Sequence, residues 1–249
     1  DAGYFYERVE VDGDWYSPYW PSALSPLVDP EWLAEKQEKT EARTFQQEYL
    51  GQFIGSSDRF FSPALVDGAT DQDAAVRKRD LVVLAADLAR AGDDRTVIGG
   101  IDRRGVAGVF VSDASLSLTE ATGNLVELYE EYDVPSVVID ETGLGAGVVE
   151  MLQSEIGPRA VEGVKFTIER KQSLYNGLKS DLESGDLTLA HHARLSRELK
   201  KLTYSLTRGG KTKITHPDAG HDDHPDMLAL AAYGRRDGAS SGDILAFQL

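Results

Sequence analysis

From position 81 onward, apolar residues come in short blocks divided by polar turns, and the period of each block names its element. Residues 81–86 form an unbroken apolar run, the pattern of a strand buried on both faces, and the run closes on Asp87. A Gly/Asp turn at 91–94 leads to the apolar run 96–101. Arg103-Arg104-Gly105 turns the chain again, and 106–111 completes a three-strand meander. Leu118, Leu125, Leu128, Tyr129 and Tyr132 recur at helical spacing. Residues 135–139 predict a short buried strand that closes on Asp140. Then follow a helix at 147–155, a strand at 161–167, a helix at 173–184 and a short apolar run at 187–189. A basic helix is expected at 191–202. The runs 204–207 and 212–215 flank Arg208-Gly209-Gly210-Lys211, a hairpin signal. The last helix is expected at 225–235.

Before position 81 the pattern is less regular. Residues 1–30 are rich in aromatics and proline without a helical or strand period, and read as an ordered connector. Asp29-Pro30-Glu31 is a helix start, with a capping Asp, Pro at the first position and an acid in the first turn. Phe45, Tyr49, Leu50 and Phe53 form a second apolar stripe, ended by Gly51 and Gly55, and 67–80 reads as a linker or surface helix.

Composition adds boundaries. The 249 residues are 41% hydrophobic, which supports a sizeable core. No apolar stretch approaches ~18 residues, so no membrane-spanning helix is expected, and the N-terminus carries no targeting pattern. Cysteine is absent, which excludes disulfides and thiolate metal sites. The methionines are Met151 and Met227, and a segment of a longer protein is expected. Net charge is −16, with few lysines, the balance a high-salt cytoplasm favours. Residues 159–213 nevertheless carry 12 bases against 6 acids. A basic segment on an acidic body is a candidate polyanion contact.

Three acid groups stand at element ends: Asp87 with Asp93 and Asp94, Asp140 with Glu141, and Asp222-Asp223 with Asp226. Each alone is read as readily as a turn or helix cap. A fold that gathers strand ends brings them to one point, where unpaired carboxylates repel unless cations lie between them. The element order is that of the ribonuclease H-like fold: an α/β mixed sheet of three antiparallel meander strands plus parallel strands, with helices on both faces.

Phe45-Gln46-Gln47-Glu48-Tyr49-Leu50-Gly51-Gln52-Phe53, then Asp87-Leu88-Ala89 with Gly92, Asp94 and Thr96, then Ile139-Asp140 with Gly143 and Gly145, come in one order. They end with His221-Asp222-Asp223-His224-Pro225-Asp226-Met227-Leu228-Ala229-Leu230-Ala231. Over roughly residues 30–236 the chain resembles the nuclease domain of the large terminase subunit, the DNA-packaging motor of tailed viruses. With the acidic composition, a halophilic archaeal virus is the expected source. The resemblance implies an ATPase domain ahead of the nuclease. No GxxxxGK[ST] phosphate loop is present, so residues 1–79 are expected as the tail of that domain and a linker, 80–236 as the nuclease and 237–249 as a tail.

The resemblance further implies a metal-dependent endonuclease cutting concatemeric double-stranded viral DNA, with two Mg²⁺ or Mn²⁺ ions for in-line hydrolysis. Asp87 is the expected bridge between the ions, Asp140 a ligand of one, and Asp223 and Asp226, at i and i+3, ligands of the other. Asp222 is an alternative ligand and Asp94 an auxiliary acid. Glu141 is expected to face away. Lys171 could neutralise the scissile phosphate, and Arg208, Lys211 and Lys213 could hold the DNA backbone. The small terminase subunit and the portal are the implied partners, and the site of action is the host cytoplasm at the procapsid portal. Zinc on His221 and His224 with Asp223, and a dinucleotide fingerprint at Gly143-Leu144-Gly145-Ala146-Gly147, are weaker readings. Resolvase or transposase relatives and a non-catalytic DNA-docking module share the fold.

Overall fold

The computed structural model describes residues 21–40, 45, 48–51, 59–89, 94–143, 145–206, 212–216 and 221–246. The chain divides into two compact units, Asp1–Asp58 and Arg59–Leu249. In the first, α1 (Pro30–Lys39) starts as expected: the Asp29 side chain accepts from Glu31 N, and Pro30 opens the helix. Phe45 is buried and stacks on Tyr49, whose ring meets the edge of Trp32. Gly55 and Phe53, assigned to the second stripe, lie outside the described residues.

The second unit begins earlier than the expected boundary at 80. Residues 59–79 hold α2 (Pro63–Ala69) and β1 (Thr70–Asp71), and bury Phe60, Phe61 and Val66 in the core. These apolar residues are too few to show a period, which is why the stretch reads as linker.

Its sheet has seven strands: β1, β2 (Leu81–Asp87), β3 (Thr96–Asp102), β4 (Val106–Asp113), β5 (Val137–Asp140), β6 (Val161–Val164) and β7 (Thr188–Ala190). Their order is β1-β7-β4-β3-β2-β5-β6. The meander β2-β3-β4 is antiparallel, whereas β5 and β6 extend it in parallel beside β2. Parallel neighbours need crossovers, and helices supply them. One face holds α3 (Leu118–Tyr132) and α4 (Gly145–Ile156). The other holds α5 (Ile168–Ser184), α6 (Ala193–Lys201) and α7 (Asp223–Ala246).

Strand alternation decides which residues meet which layer. Val83, Ala85 and Val138 belong to the core under α5 and α7, while Leu84, Ala86, Val137 and Ile139 belong to the core under α3 and α4. By the same parity Asp87 and Asp140 leave their strands on the α7 side. Gly99 lets α7 lie close on β3, since a Cβ there would stand 2.6 Å from Met227 Sδ. With no proline after Pro225, α7 continues past the expected end at 235 to Ala246, into what was read as a tail. A separate hairpin pairs β8 (Thr203–Leu206) with β9 (Thr212–Thr215). Among the described residues no helix is long and apolar enough to cross a membrane.

Candidate metal centre

Because β2 and β5 run parallel, both close at the same end of the sheet, and α7, which packs on β2, β3 and β5, starts there, where Asp223 accepts from Arg95 N. Asp87, Asp140 and the Asp222–Asp226 turn therefore share one place. Electrostatics show it: burial first, then the charges of Asp226, Asp223, Asp140 and Asp222, push the Asp87 carboxyl well above the ordinary carboxylate range. Burial also raises Asp140, against the lowering effects of Thr142 and Lys171. Asp223 is raised by burial, against a hydrogen bond from Arg95. A buried carboxylate cluster with raised pKa values favours protons or metal cations over empty anions.

Four of the five acids are held by neighbouring groups. Thr142 N donates to Asp140 Oδ1 at 2.8 Å, and Arg95 N to Asp223 Oδ2 at 3.1 Å. Tyr175 Oη donates to Asp226 Oδ1 at 2.5 Å. Lys171 Nζ lies 2.7 Å from both Asp222 Oδ2 and Asp226 Oδ2. Its ammonium is thus held inside the cluster, with 17% of its side chain exposed, instead of standing free for a phosphate. The chain carries it there because α5 crosses beside α7, and Tyr175 follows at i+4 on the same face. Burial pushes Asp226 up to about 7 despite this lysine, while burial lowers and the acids more strongly raise Lys171. Both shifts point one way: the site holds more carboxylate charge than one ammonium can balance.

Among the described residues, the group tight enough for one ion is Asp94, His221 and Asp223, with ligand atoms within 4.8 Å of one another. Asp94 is exposed and Asp223 buried. His224 turns elsewhere, which separates the paired-histidine zinc reading: it is fully buried, its Nδ1 is 2.8 Å from Glu198 Oε2 and its Nε2 2.9 Å from Ser112 Oγ. Glu198 also accepts from His224 N at 3.2 Å. Neither Glu198 nor Ser112 adjoins one of the three acid groups in sequence, and only the amphipathic spacing of α6, which buries Leu195, Glu198 and Leu199 together, hints at the first.

Glu141 lines a cavity of about 960 Å³ with Val149, Gln153 and Arg159, along the edge strand β6 and away from the acids. That cavity is therefore not where the acids gather. Within the glycine run after Asp140, Gly145 serves close packing, because a Cβ there would lie 1.7 Å from the Asp140 carbonyl oxygen, and Gly143 takes a left-handed turn. Of the hairpin cations, Lys213 is exposed on β9, while Arg208 and Lys211 lie outside the described residues, as does Asp93.

The model of the terminase RNaseH-like domain family matches residues 84–231, more than half of the chain. The chain belongs to that family. The match begins inside β2 and ends inside α7, and so encloses every acid of the cluster. The fold is also that of solved terminase nucleases. The large terminase nuclease from thermophilic phage G20c is 22% identical, with TM-score 0.56 over 64% of this chain and 84% of that one. The nuclease domain of the large terminase subunit gp2 of bacterial virus Sf6 is 14% identical, with TM-score 0.56 over 70% and 98%. The Thermus phage P74-26 large terminase nuclease domain gives 22% and 0.54 over 64% and 81%. Structures of the G20c nuclease hold cobalt or magnesium, and a variant Sf6 domain holds manganese. None of the curated proteins compared with the chain matches it.

Proposed function

We propose that this terminase nuclease domain is a divalent-metal-dependent endonuclease that cuts concatemeric double-stranded viral DNA during genome packaging, with little sequence preference. One observation carries the reading: five carboxylates gather from the ends of β2 and β5 and the start of α7, and among the described residues one lysine ammonium is hydrogen-bonded into them. All-oxygen donors in that excess suit Mg²⁺ or Mn²⁺. The metals found in the G20c and Sf6 relatives support the same class of ion. Asp87, Asp140, Asp223 and Asp226 would hold two such ions, with Asp222 and Asp94 alongside. When bound, the ions supply a lowered pKa for an attacking water and offset charge on the leaving 3′ oxygen.

The chain's own groups prepare the site. Thr142 N, Arg95 N and Tyr175 Oη fix the carboxylates, as partners behind metal ligands do. Lys171 limits repulsion while the cluster is unloaded. The partial positive charge at the start of α7 favours Asp223 and Asp226 as anions. Lys213, with Arg208 and Lys211, would touch phosphates, contacts that position DNA without reading it. In the full packaging complex the ATPase domain, small terminase subunit and portal would decide when and where cutting happens, in the host cytoplasm at the procapsid portal.

The test is plasmid cleavage. With Mn²⁺ or Mg²⁺ the domain should nick and then linearise supercoiled DNA, and Asp87→Ala should abolish this. Cleavage undiminished in both Asp87→Ala and Asp140→Ala proteins would sink the assignment.

A further inference from the structure

Helix α6 carries a row of cations that the acid cluster does not use. Arg194, Arg197 and Lys201 recur at i, i+3 and i+7 and so share one helix face. Arg197 and Lys201 are exposed and Arg194 is half-buried, and none has an ion-pair partner among the described residues. Lys200, by contrast, pairs with Asp67. On a chain of net charge −16, unneutralised cations in a row are a local reversal of sign.

The opposite face of α6 is anchored. Leu195 and Leu199 are buried there, while Glu198, at i+4 from Arg194, borders the row and grips both the backbone N–H and the ring of His224, the residue after Asp223. Glu198 thus ties the flank of the row to the first turn of α7, which carries Asp223 and Asp226. Charges act over a Debye length of ~8–10 Å at physiological salt, so a polyanion lying on the row and the cluster together feels both.

We infer that Arg194, Arg197 and Lys201 form a contact for the backbone of duplex DNA, lying beside the cleavage site. The inference rests on the nuclease reading. Seven residues of helix span ~10 Å, which along a duplex covers about three phosphates of one strand. A membrane surface is a poor alternative, because the apolar face of α6 is already buried and has nothing to insert. Phosphate contacts by these side chains carry no base information, in keeping with low sequence preference. They also offset the repulsion that DNA meets as it nears five carboxylates.

The experiment is fluorescence anisotropy of a labelled duplex in EDTA across roughly 50–200 mM salt, with wild type and R194A/R197A/K201A. The slope of log affinity against log salt should become shallower by roughly 2–3 in the triple variant, at ~0.9 per lost contact. R194K/R197K keeps the charge and should hold the wild-type slope, which guards against misfolding as the cause. R103A/R159A, exposed cations at the other end of the sheet, should also leave it unchanged. A triple variant with the wild-type slope overturns the inference, as does an equal loss in R103A/R159A. Plasmid cleavage in Mn²⁺ separates the two ideas. Cleavage with an unchanged slope removes only the α6 contact, and a changed slope without wild-type cleavage removes only the nuclease reading.

Discussion

Replacing Lys171 with methionine keeps the stem and removes the ammonium from the acid cluster. That ammonium lies 2.7 Å from Asp222 and from Asp226, whose side chains are 20% and 9% exposed. Deleting one partner of a buried pair costs about 3–5 kcal/mol, because the remaining charge is left uncompensated. The Arg59–Leu249 unit is of a size at which each kcal/mol moves Tm by about 2–4 °C, so at pH 8 without metal the variant should melt roughly 6–20 °C lower. The sign with pH follows from the raised carboxyls. Asp226, raised to about 7, binds a proton in the folded state over a range where the unfolded chain does not. Stability associated with it is therefore full below its unfolded value and lost as pH rises through about 7. Lys171 lowers that pKa, so without it protonation begins at still higher pH, and the deficit should shrink by pH 5.5. Saturating Mn²⁺ should shrink it too, by replacing the missing cation. Thermal melts of both proteins at pH 8 and 5.5, with and without Mn²⁺, decide the matter. A deficit under about 1 kcal/mol at pH 8, or one indifferent to both pH and metal, would refute the internal counter-ion argument.

Two further outcomes follow from the hydrogen bonds. Asp102, fully buried at the β3–β4 turn, is pushed up by burial, but hydrogen bonds from Arg77 N, the Arg104 side chain, Val106 N and Arg104 N win and hold it below the ordinary range. Its stabilisation is present above the unfolded carboxylate value of about 3.9 and lost as pH falls through the lower folded value. Asp102→Asn should cost about 2–3 kcal/mol at pH 7 and flatten the acid limb of urea melts, and an unchanged acid limb would count against it. Glu198→Ala should free the first turn of α7 and weaken Mn²⁺ binding about 10–100-fold, with Glu198→Gln milder because it keeps an acceptor. Calorimetric titration giving wild-type affinity for Glu198→Ala would show that the grip on His224 does not position Asp223 and Asp226.

Much of this was legible because the sheet's centre is locally encoded. Continuous apolar runs name β2 and β5, and an Asp at the end of each marks where polar chemistry begins. The start of α1 is equally local: Asp29 caps it and Pro30 opens it, as the sequence predicts. What the pattern hides is long-range. The two-residue β1 has no period of its own and exists only by pairing with β7. The capture of Lys171 by the cluster depends on how α5 crosses α7, which spacing along one helix does not fix. Likewise His224 sits between two acids in sequence, yet its ring is turned to Glu198 and Ser112, since burial in the helix layer decides its direction. Strand parity, by contrast, is enough to send Asp87 and Asp140 one way and Glu141 the other.

The most direct measurement is an anomalous-difference map from a crystal of the domain soaked in Mn²⁺. Peaks beside Asp87, within coordination distance of Asp140 and of the Asp223–Asp226 turn, are the predicted result. A map with manganese bound elsewhere and none at Asp87, at concentrations that support plasmid cleavage, would contradict the account.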